Sequence, residues 1–514
     1  MPFCPNPECP HVKKTGRAAA FVDGLMICTD CGSELMEKEM PIAREKRRAL
    51  SDFQKRLIYT LGMIAIFRML THIPAPGING EALDRFLIER GGEFHPLDLF
   101  GSARITVFAL GLMPYISASV AVEILALFLK PLKSWRESGY LGRLKLRQTA
   151  LITATVLAFA LGYWIAKVVV SMNDGSFVYD SGIGYRLFLA LTLTTGTFII
   201  IGLANQITKK GLGHGISVII FTSYAGGLSS HLFKLFNMGH EQLLSRSPFE
   251  YLLLAFVISA VLIAIIVIME KSNKRIGLKY EDGLESYVPL KLTTAGIVPT
   301  DWAGYILMLP ITVLSFMTIE PIQKIGNFLS PGKFSYSIIY AIVIFFLYFL
   351  FTSFFYRPKD IVSSLHHKGA SLIIPGSKNA EDYIDRFLEI MAVVGGVYLC
   401  FLFFLPEILI RLGGFPMFIG GVGLIKTVAV VLDLYEESRV RKESDGLIKV
   451  MEFHEVHKAG LFKGILERRG IPCLLQGYYH RSLLYFFGPY IEISALVPSD
   501  RIDEATVLFE KYIA

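Results

Sequence analysis

The sequence predicts an all-α polytopic membrane protein of ten transmembrane helices, with a small metal-binding segment before the first helix and a small α/β domain after the last. Three observations lead there. The 514 residues are 53% apolar and 18% charged, with a mean hydropathy of +0.50, whereas soluble domains carry about a quarter charged residues. Apolar runs of about 20 residues, enough to cross roughly 30 Å of hydrocarbon, recur through the middle of the chain. Both ends lack such runs and carry patterns of their own.

The ten runs fall at 54–72, 107–129, 147–170, 186–206, 216–236, 250–270, 295–316, 336–356, 386–406 and 415–435. The first 50 residues are polar, basic and contain four cysteines, unlike a removable signal peptide, so the first run is expected to serve as its own insertion signal. Lys and Arg are retained on the cytoplasmic side. The stretch 45–56 carries Lys46, Arg47, Arg48, Lys55 and Arg56, and the loop after the second run carries Lys130, Lys133, Arg136, Arg143, Lys145 and Arg147. The next loop, 171–183, has neither residue type, and in 73–100 acidic residues outnumber Arg85 and Arg90. Ten spans then put both termini in the cytoplasm. Basic loops facing anionic headgroups, worth roughly 1 kcal/mol per residue near the surface, account for the net charge of +7 without a nucleic acid, and no direct DNA binding is expected.

Three parts follow along the chain. In residues 1–45, Cys4 and Cys9 form a C-x4-C knuckle and Cys28 and Cys31 a C-x2-C knuckle. Four thiolates so spaced can close a tetrahedral zinc site, and a segment this short has too little core to fold unaided. The alternative, a disulfide pair, is disfavoured in a reducing cytoplasm. Residues 50–437 are the membrane part. The charged stretch from Glu436 to Gly446 reads as a solvated linker. Residues 447–514 read as a compact α/β domain that folds on its own: a strand at 447–453, a helix at 455–468, strands at 472–476 and 490–498, and a helix at 499–512 capped by Ser499 or Asp500. Cys400 and Cys473 read as packing residues.

Several chemistries are absent from the pattern. His454, Glu455 and His457 do not make a zincin, because its two His must lie four apart on one helical face and these are three apart. His214, His366 and His367 read as loop residues. With no P-loop and no nucleophile elbow, the chain is not expected to be an enzyme.

Residues 98–119, Asp-Leu-Phe-Gly-Ser-Ala-Arg-Ile-Thr-Val-Phe-Ala-Leu-Gly-Leu-Met-Pro-Tyr-Ile-Ser-Ala-Ser, resemble the plug and second helix of the SecY family, the protein-conducting channels of the general secretion pathway. Similar stretches follow in order: Ile73 to Ile78, Gly211 to Ser217, Tyr287 to Lys291, Thr294 to Gly296, the loop Tyr356 to Ile384 with Lys368-Gly369-Ala370 and Pro375-Gly376, and Gly420-Gly421. The resemblance spans about 50–437. Strand, helix and then Gly470-Ile471-Pro472 give the last segment a likeness to a small domain family named for signal-transducing proteins.

The SecY resemblance implies two inverted halves of five helices, an hourglass pore, and a lateral gate between spans two and three and spans seven and eight. It implies passage of unfolded preprotein across the bacterial plasma (inner) membrane, or sideways release of apolar segments into lipid. The implied partners are SecE and SecG, with SecA or a ribosome on the cytoplasmic loops. Gly101, Ser102, Ala103 and Arg104 fall in the plug. Leu112, Ile116, Ile216, Ile220 and Tyr224 match the pore constriction, where an aliphatic ring seals by dewetting; apolar residues at such spacing otherwise read as packing. Gly111 and Pro114 interrupt the second span, a break tolerated where protein or a water-filled cavity re-satisfies the backbone.

Asp301 and Lys426 also fall at constriction positions, where the family usually carries aliphatic residues. An ionised group at the bilayer centre costs at least about 2.5 to 3.5 kcal/mol on insertion scales, so the two are expected to pair across the pore; the alternative is that one or both snorkel to an interface. Lys274, Arg275, Lys359 and Lys368 lie in the two long loops that the resemblance makes docking sites for SecA or ribosomal RNA. Lys359 follows Pro358 where many members carry Arg, and Lys cannot make the bidentate fork. Two other readings stay open: a solute transporter with inverted repeats, and a specialised SecY paralogue with an altered pore, a shortened plug and two added soluble parts.

Overall fold

The computed structural model describes residues 9–10, 13, 27–28, 30–33, 51–79, 106–171, 178–225, 248–315, 333–356, 358–366, 368–374, 379–413, 421–444, 446–484 and 491–513. The chain divides into two compact units, residues 1–55 and 56–514. In the second, each of the ten expected spans carries a helix among the described residues. In order these are α1 (Asp52–Leu70, which begins in the first unit), α2 (Met113–Phe128) with the short α3 (Lys130–Glu137), α4 (Gly139–Ser171), α5 (Ile183–Lys210), α6 (Gly215–Ala225) and α7 (Pro248–Lys271). After the hairpin β1 (Asn273–Tyr280) and β2 (Glu285–Lys291) come α8 (Val298–Ser315), α9 (Phe334–Phe355), α10 (Pro358–His366), β3 (Ala370–Ile373), α11 (Ala380–Gly413) and α12 (Gly421–Glu443). Four of these, α4, α5, α9 and α11, are each long and apolar enough to cross a membrane.

Two devices let polar and small residues sit inside these helices. Along α5, Thr192, Thr194 and Thr195 donate their hydroxyls to carbonyls four residues back at 2.7–2.9 Å, so no hydroxyl needs water where lipid offers none. Glycines let neighbours approach closely. A Cβ on Gly162 of α4 would fall 3.1 Å from the Ala190 backbone of α5, and one on Gly395 of α11 would fall 2.0 Å from the Tyr348 hydroxyl of α9.

The second span is shorter than expected. Residues 107–112 form turns, and α2 starts only at Met113, with Pro114 in its first turn. Gly111, at φ +54°, supplies a left-handed residue that a Cβ would disfavour. Gly111 and Pro114 therefore begin the helix rather than break it.

The two long loops are not simply solvated. They form an antiparallel sheet in the order β2-β1-β3, with Lys279 opposite both Glu285 and Ser371. The segment after α12 builds a second antiparallel sheet from β4 (Leu447–Phe453), β5 (Leu474–Gln476) and β6 (Ile493–Pro498), in the order β4-β6-β5. Its helices are α13 (Val456–Arg468), α14 (Tyr478–Leu484) and α15 (Ile502–Tyr512). Ser499–Arg501 is a 3-10 turn and α15 has no side-chain cap, so neither Ser499 nor Asp500 caps it.

This tail shares a core with the loop sheet. Ile276, Leu278, Val288 and Leu290 of the sheet cluster with Phe462, Ile465, Ile493 and Tyr512 of the tail. A Cβ on Gly460 of α13 would fall 2.5 Å from Pro289 of β2. Cys473 is buried in that core, and Cys400 reaches the Ala341 carbonyl at 3.5 Å.

The solvated linker expected from Glu436 is mostly the end of α12, with two of its charges buried. Glu437 is 1% and Arg441 6% exposed. One Glu437 oxygen accepts from Arg441 Nε at 2.8 Å and the other from the Gly213 N–H at 2.7 Å, while Gln476 Nε2 of β5 approaches at 3.3 Å. A run of charges signals solvent only while each stays unpaired, and here the fold supplies partners from three segments. Glu437→Ala strips Arg441 of a buried counter-charge, and removing one member of a buried pair costs about 3 kcal/mol or more. A clear fall in the thermal midpoint of the detergent-solubilised protein is expected, larger than for Glu436→Ala.

Candidate functional site

A cavity of about 530 Å³ lies among the helices, walled by Phe67, Leu110, Leu112, Ile116, Ile200 and Ile219 with other residues. Of the constriction residues expected from sequence, Leu112, Ile116, Ile220, Tyr224, Asp301 and Lys426 all line it. Ile216 does not; it is buried in the adjoining core. Gly101, Ser102, Ala103 and Arg104 lie outside the described residues.

Asp301, in the first turn of α8, and Lys426, near the start of α12, are brought together across this space. Lys426 Nζ donates to the two carboxylate oxygens at 3.1 and 3.2 Å, and lies 5.9 Å from the centre of the Tyr224 ring of α6, within cation–π reach. The side chains are 32% and 15% exposed, so the pair faces the cavity rather than dry core.

Of the wall residues that sequence reasoning missed, three bear on the site. Arg68, in the last turn of α1, also lines the cavity and donates to the Thr222 carbonyl. A lone cation at the end of an apolar run reads as an ordinary boundary signal, so nothing local marked it. The other two, His480 and Leu484, come from the tail.

Helix α14 is held there from several sides. Asp433 of α12 accepts the N–H groups of Tyr479 and His480 at 2.9 and 3.0 Å. His480 Nδ1 contacts the Ser217 hydroxyl of α6. The Leu483 carbonyl accepts from the Ile297 N–H at 2.9 Å. Lys291 of β2, 1% exposed, pairs with Glu270 of α7 at 2.5 Å and reaches Ser482. Burial lowers the His480 imidazole to about 3, with His214, Lys426 and Arg481 nearby acting in the same direction. His480 is therefore neutral at physiological pH.

The remaining candidates are dispersed. Lys274, Arg275 and Lys359 are exposed, whereas Lys368 is half-buried and donates to the Ile513 carbonyl of the tail. His454 contacts Arg481 at 3.0 Å and Glu492 at 3.5 Å, and His457 pairs with Glu455 at 3.1 Å. His214 sits in the turn before α6, its Cβ close to Gly477. His366 is at the end of α10, and His367 lies outside the described residues.

In the first unit, the sulfurs of Cys9, Cys28 and Cys31 lie within 4.8 Å of one another, with Cys9 Sγ and Cys28 Sγ 3.9 Å apart. Gly32, at φ +72°, closes the knuckle by donating to the Cys28 carbonyl at 2.8 Å. Metal–sulfur bonds of about 2.3 Å in a tetrahedron separate sulfurs by about 3.8 Å, so these thiols can hold a metal ion. Cys4 lies outside the described residues.

Membrane-length apolar helices packed around an internal cavity define a polytopic helical membrane protein. The SecY family model matches residues 106–435, and the chain belongs to the SecY family. The protein translocase subunit SecY of Rickettsia typhi is 32% identical over 409 residues, covering 75% of this chain and 93% of that protein. The Aquifex aeolicus subunit is 31% identical over 409 residues, covering 76% and 94%, and the Chlamydia trachomatis subunit 31% over 457, covering 81% and 98%. Among solved structures, one described as a protein conducting channel aligns over 77% of this chain and 94% of its own, at 17% identity and a TM-score of 0.49. Sec61 of a canine ribosome-channel complex aligns over the same shares at 17% and 0.46.

Asp301→Asn is expected to cost on the order of 1 kcal/mol of stability, as for a half-wet pair. The exchange Asp301→Lys with Lys426→Asp should recover part of it. A double-mutant cycle on thermal unfolding in detergent checks the coupling, and additive single effects would show that the two charges do not interact.

Proposed function

We propose that this chain is the channel-forming subunit of a Sec translocon, passing unfolded polypeptides across the bacterial plasma membrane and apolar segments sideways into it. The observation that carries this reading is the cavity lined by Leu112, Ile116, Ile220 and Tyr224 within a SecY-family chain. The aliphatic side chains of Leu112, Ile116 and Ile220 offer water no polar partners, so that part of the cavity resists ions at rest yet can part around a chain. Asp301 and Lys426 add a tie between α8 and α12 that must break, and become hydrated, when the pore widens.

In this reading residues 1–45 and 447–514 are cytoplasmic parts flanking a membrane channel at 50–437, both termini are cytoplasmic, and Gly101 to Arg104 belong to the plug. SecE and SecG are the membrane partners. SecA or a ribosome meets the loops through Lys274, Arg275 and Lys359, whose exposed side chains can meet carboxylate or phosphate. A specialised paralogue is the second reading, favoured by the charged pair in the cavity and by Lys368 being engaged by the tail. Vesicles holding this chain with SecE and SecG should protect a preprotein from external protease when SecA and ATP are added. Absence of protection with SecA, together with protection when a ribosome delivers the chain, would favour the specialised form.

The metal of the first unit is zinc, held by Cys4, Cys9, Cys28 and Cys31. All four donors are soft thiols and no redox role is needed. Metal analysis of the purified chain is expected to give about one zinc per molecule, and Cys28→Ser to abolish it while leaving membrane insertion intact, because the metal supplies the folding free energy of that segment alone.

A further inference from the structure

We infer that α14 is a tethered cap: the tail closes one mouth of the cavity, so polypeptide passes only after residues 478–484 leave it. The inference rests on the channel reading above and names a regulation of the same cavity.

The seating is built from both sides. Leu483 and Leu484 belong to the same apolar cluster as Leu112, Ile216, Ile219 and Ile425 of the membrane helices, and Leu484 and His480 form part of the cavity lining. At the neighbouring backbone, Gly296 adopts φ +56°, and a Cβ there would fall 2.1 Å from the Leu483 carbonyl oxygen. Any larger residue would push α14 off, so the membrane part carries a recess of the shape the tail fills.

The polar contacts give the cap an exact seat on several elements: Asp433 from α12, Ser217 from α6, Lys291 from β2 and Ile297 at the start of α8. The seated cap therefore ties three membrane helices and the loop hairpin to one another. His480 adds no charge to a cavity wall that already holds Arg68 and Lys426.

The seat is also releasable. α14 has seven residues, and its main-chain and hydroxyl contacts can each be exchanged for water when it lifts. The tail rests on β1 and β2, next to exposed Lys274 and Arg275, so an acidic protein surface binding those cations would compete with the tail for the hairpin. On this account the partner that drives transport also removes the cap.

The test uses the full chain with its membrane partners in lipid vesicles, carrying Ser217→Cys with His480→Cys, side chains that touch in the seated state. Oxidation is expected to cross-link the two positions in the resting protein and to stop preprotein passage, and reductant to restore the passage seen in the same protein before oxidation. Passage continuing through the cross-linked protein overturns the cap, as does absence of a cross-link at rest. In a second variant, Leu484→Cys, a membrane-impermeant maleimide should react slowly at rest and rapidly while preprotein is engaged; equal rates in both states also overturn it. Should the unsubstituted chain pass no preprotein by any route while 217 and 480 still cross-link, the channel reading is what fails, and the cap as a gate falls with it.

Discussion

Two carboxylates one turn apart on α12, Asp433 and Glu437, join the parts of this molecule. Each is buried, and a buried carboxylate is tolerable only when donors surround it. Asp433 takes the first N–H groups of α14, and Glu437 takes Arg441, the Gly213 N–H and Gln476. The loop before α6, the last membrane helix and two elements of the tail are therefore bound to the same helix turn. A donor that withdraws must be replaced by water, which is why the tail rests as an integral part of the second unit rather than as an attachment on a loose linker.

The cavity below that junction departs from a purely aliphatic constriction. Asp301 and Lys426 sit where apolar side chains would seal more simply, and Arg68 adds a second cation to the walls. Charges in such a place are stable only as a pair or in contact with water. The pair is partly exposed to the cavity, so its attraction is screened and its strength is modest. Modest strength suits a contact that would separate when the proposed channel opens. A dry ion pair would hold the helices too firmly, and an isolated charge would hydrate the resting pore.

The same division of labour recurs at the loop sheet. Lys274 and Arg275 remain in solvent, whereas Lys368, alike in sequence, is drawn against the tail's last turn. Chemistry of the side chain did not separate them. Packing of α13 and α15 on β1 and β2 did, because it covers one part of the sheet and leaves the other open.

Much of this was legible along the chain. Hydropathy located ten helices because a bilayer imposes a length and an apolarity that each run must satisfy by itself, and alternating apolar and polar residues located β4. The charges at Asp301 and Lys426 stood out against their apolar neighbours for the same local reason. Other features depended on what lies far away in sequence. The third strand joining the loop sheet, Glu437 taking the Gly213 N–H, and α14 reaching Ser217 and the cavity all require partners far away in the chain. A sequence pattern reports how a segment meets solvent or lipid. It does not report which distant donor will meet a given carboxylate, because that pairing exists only once the segments between them have packed.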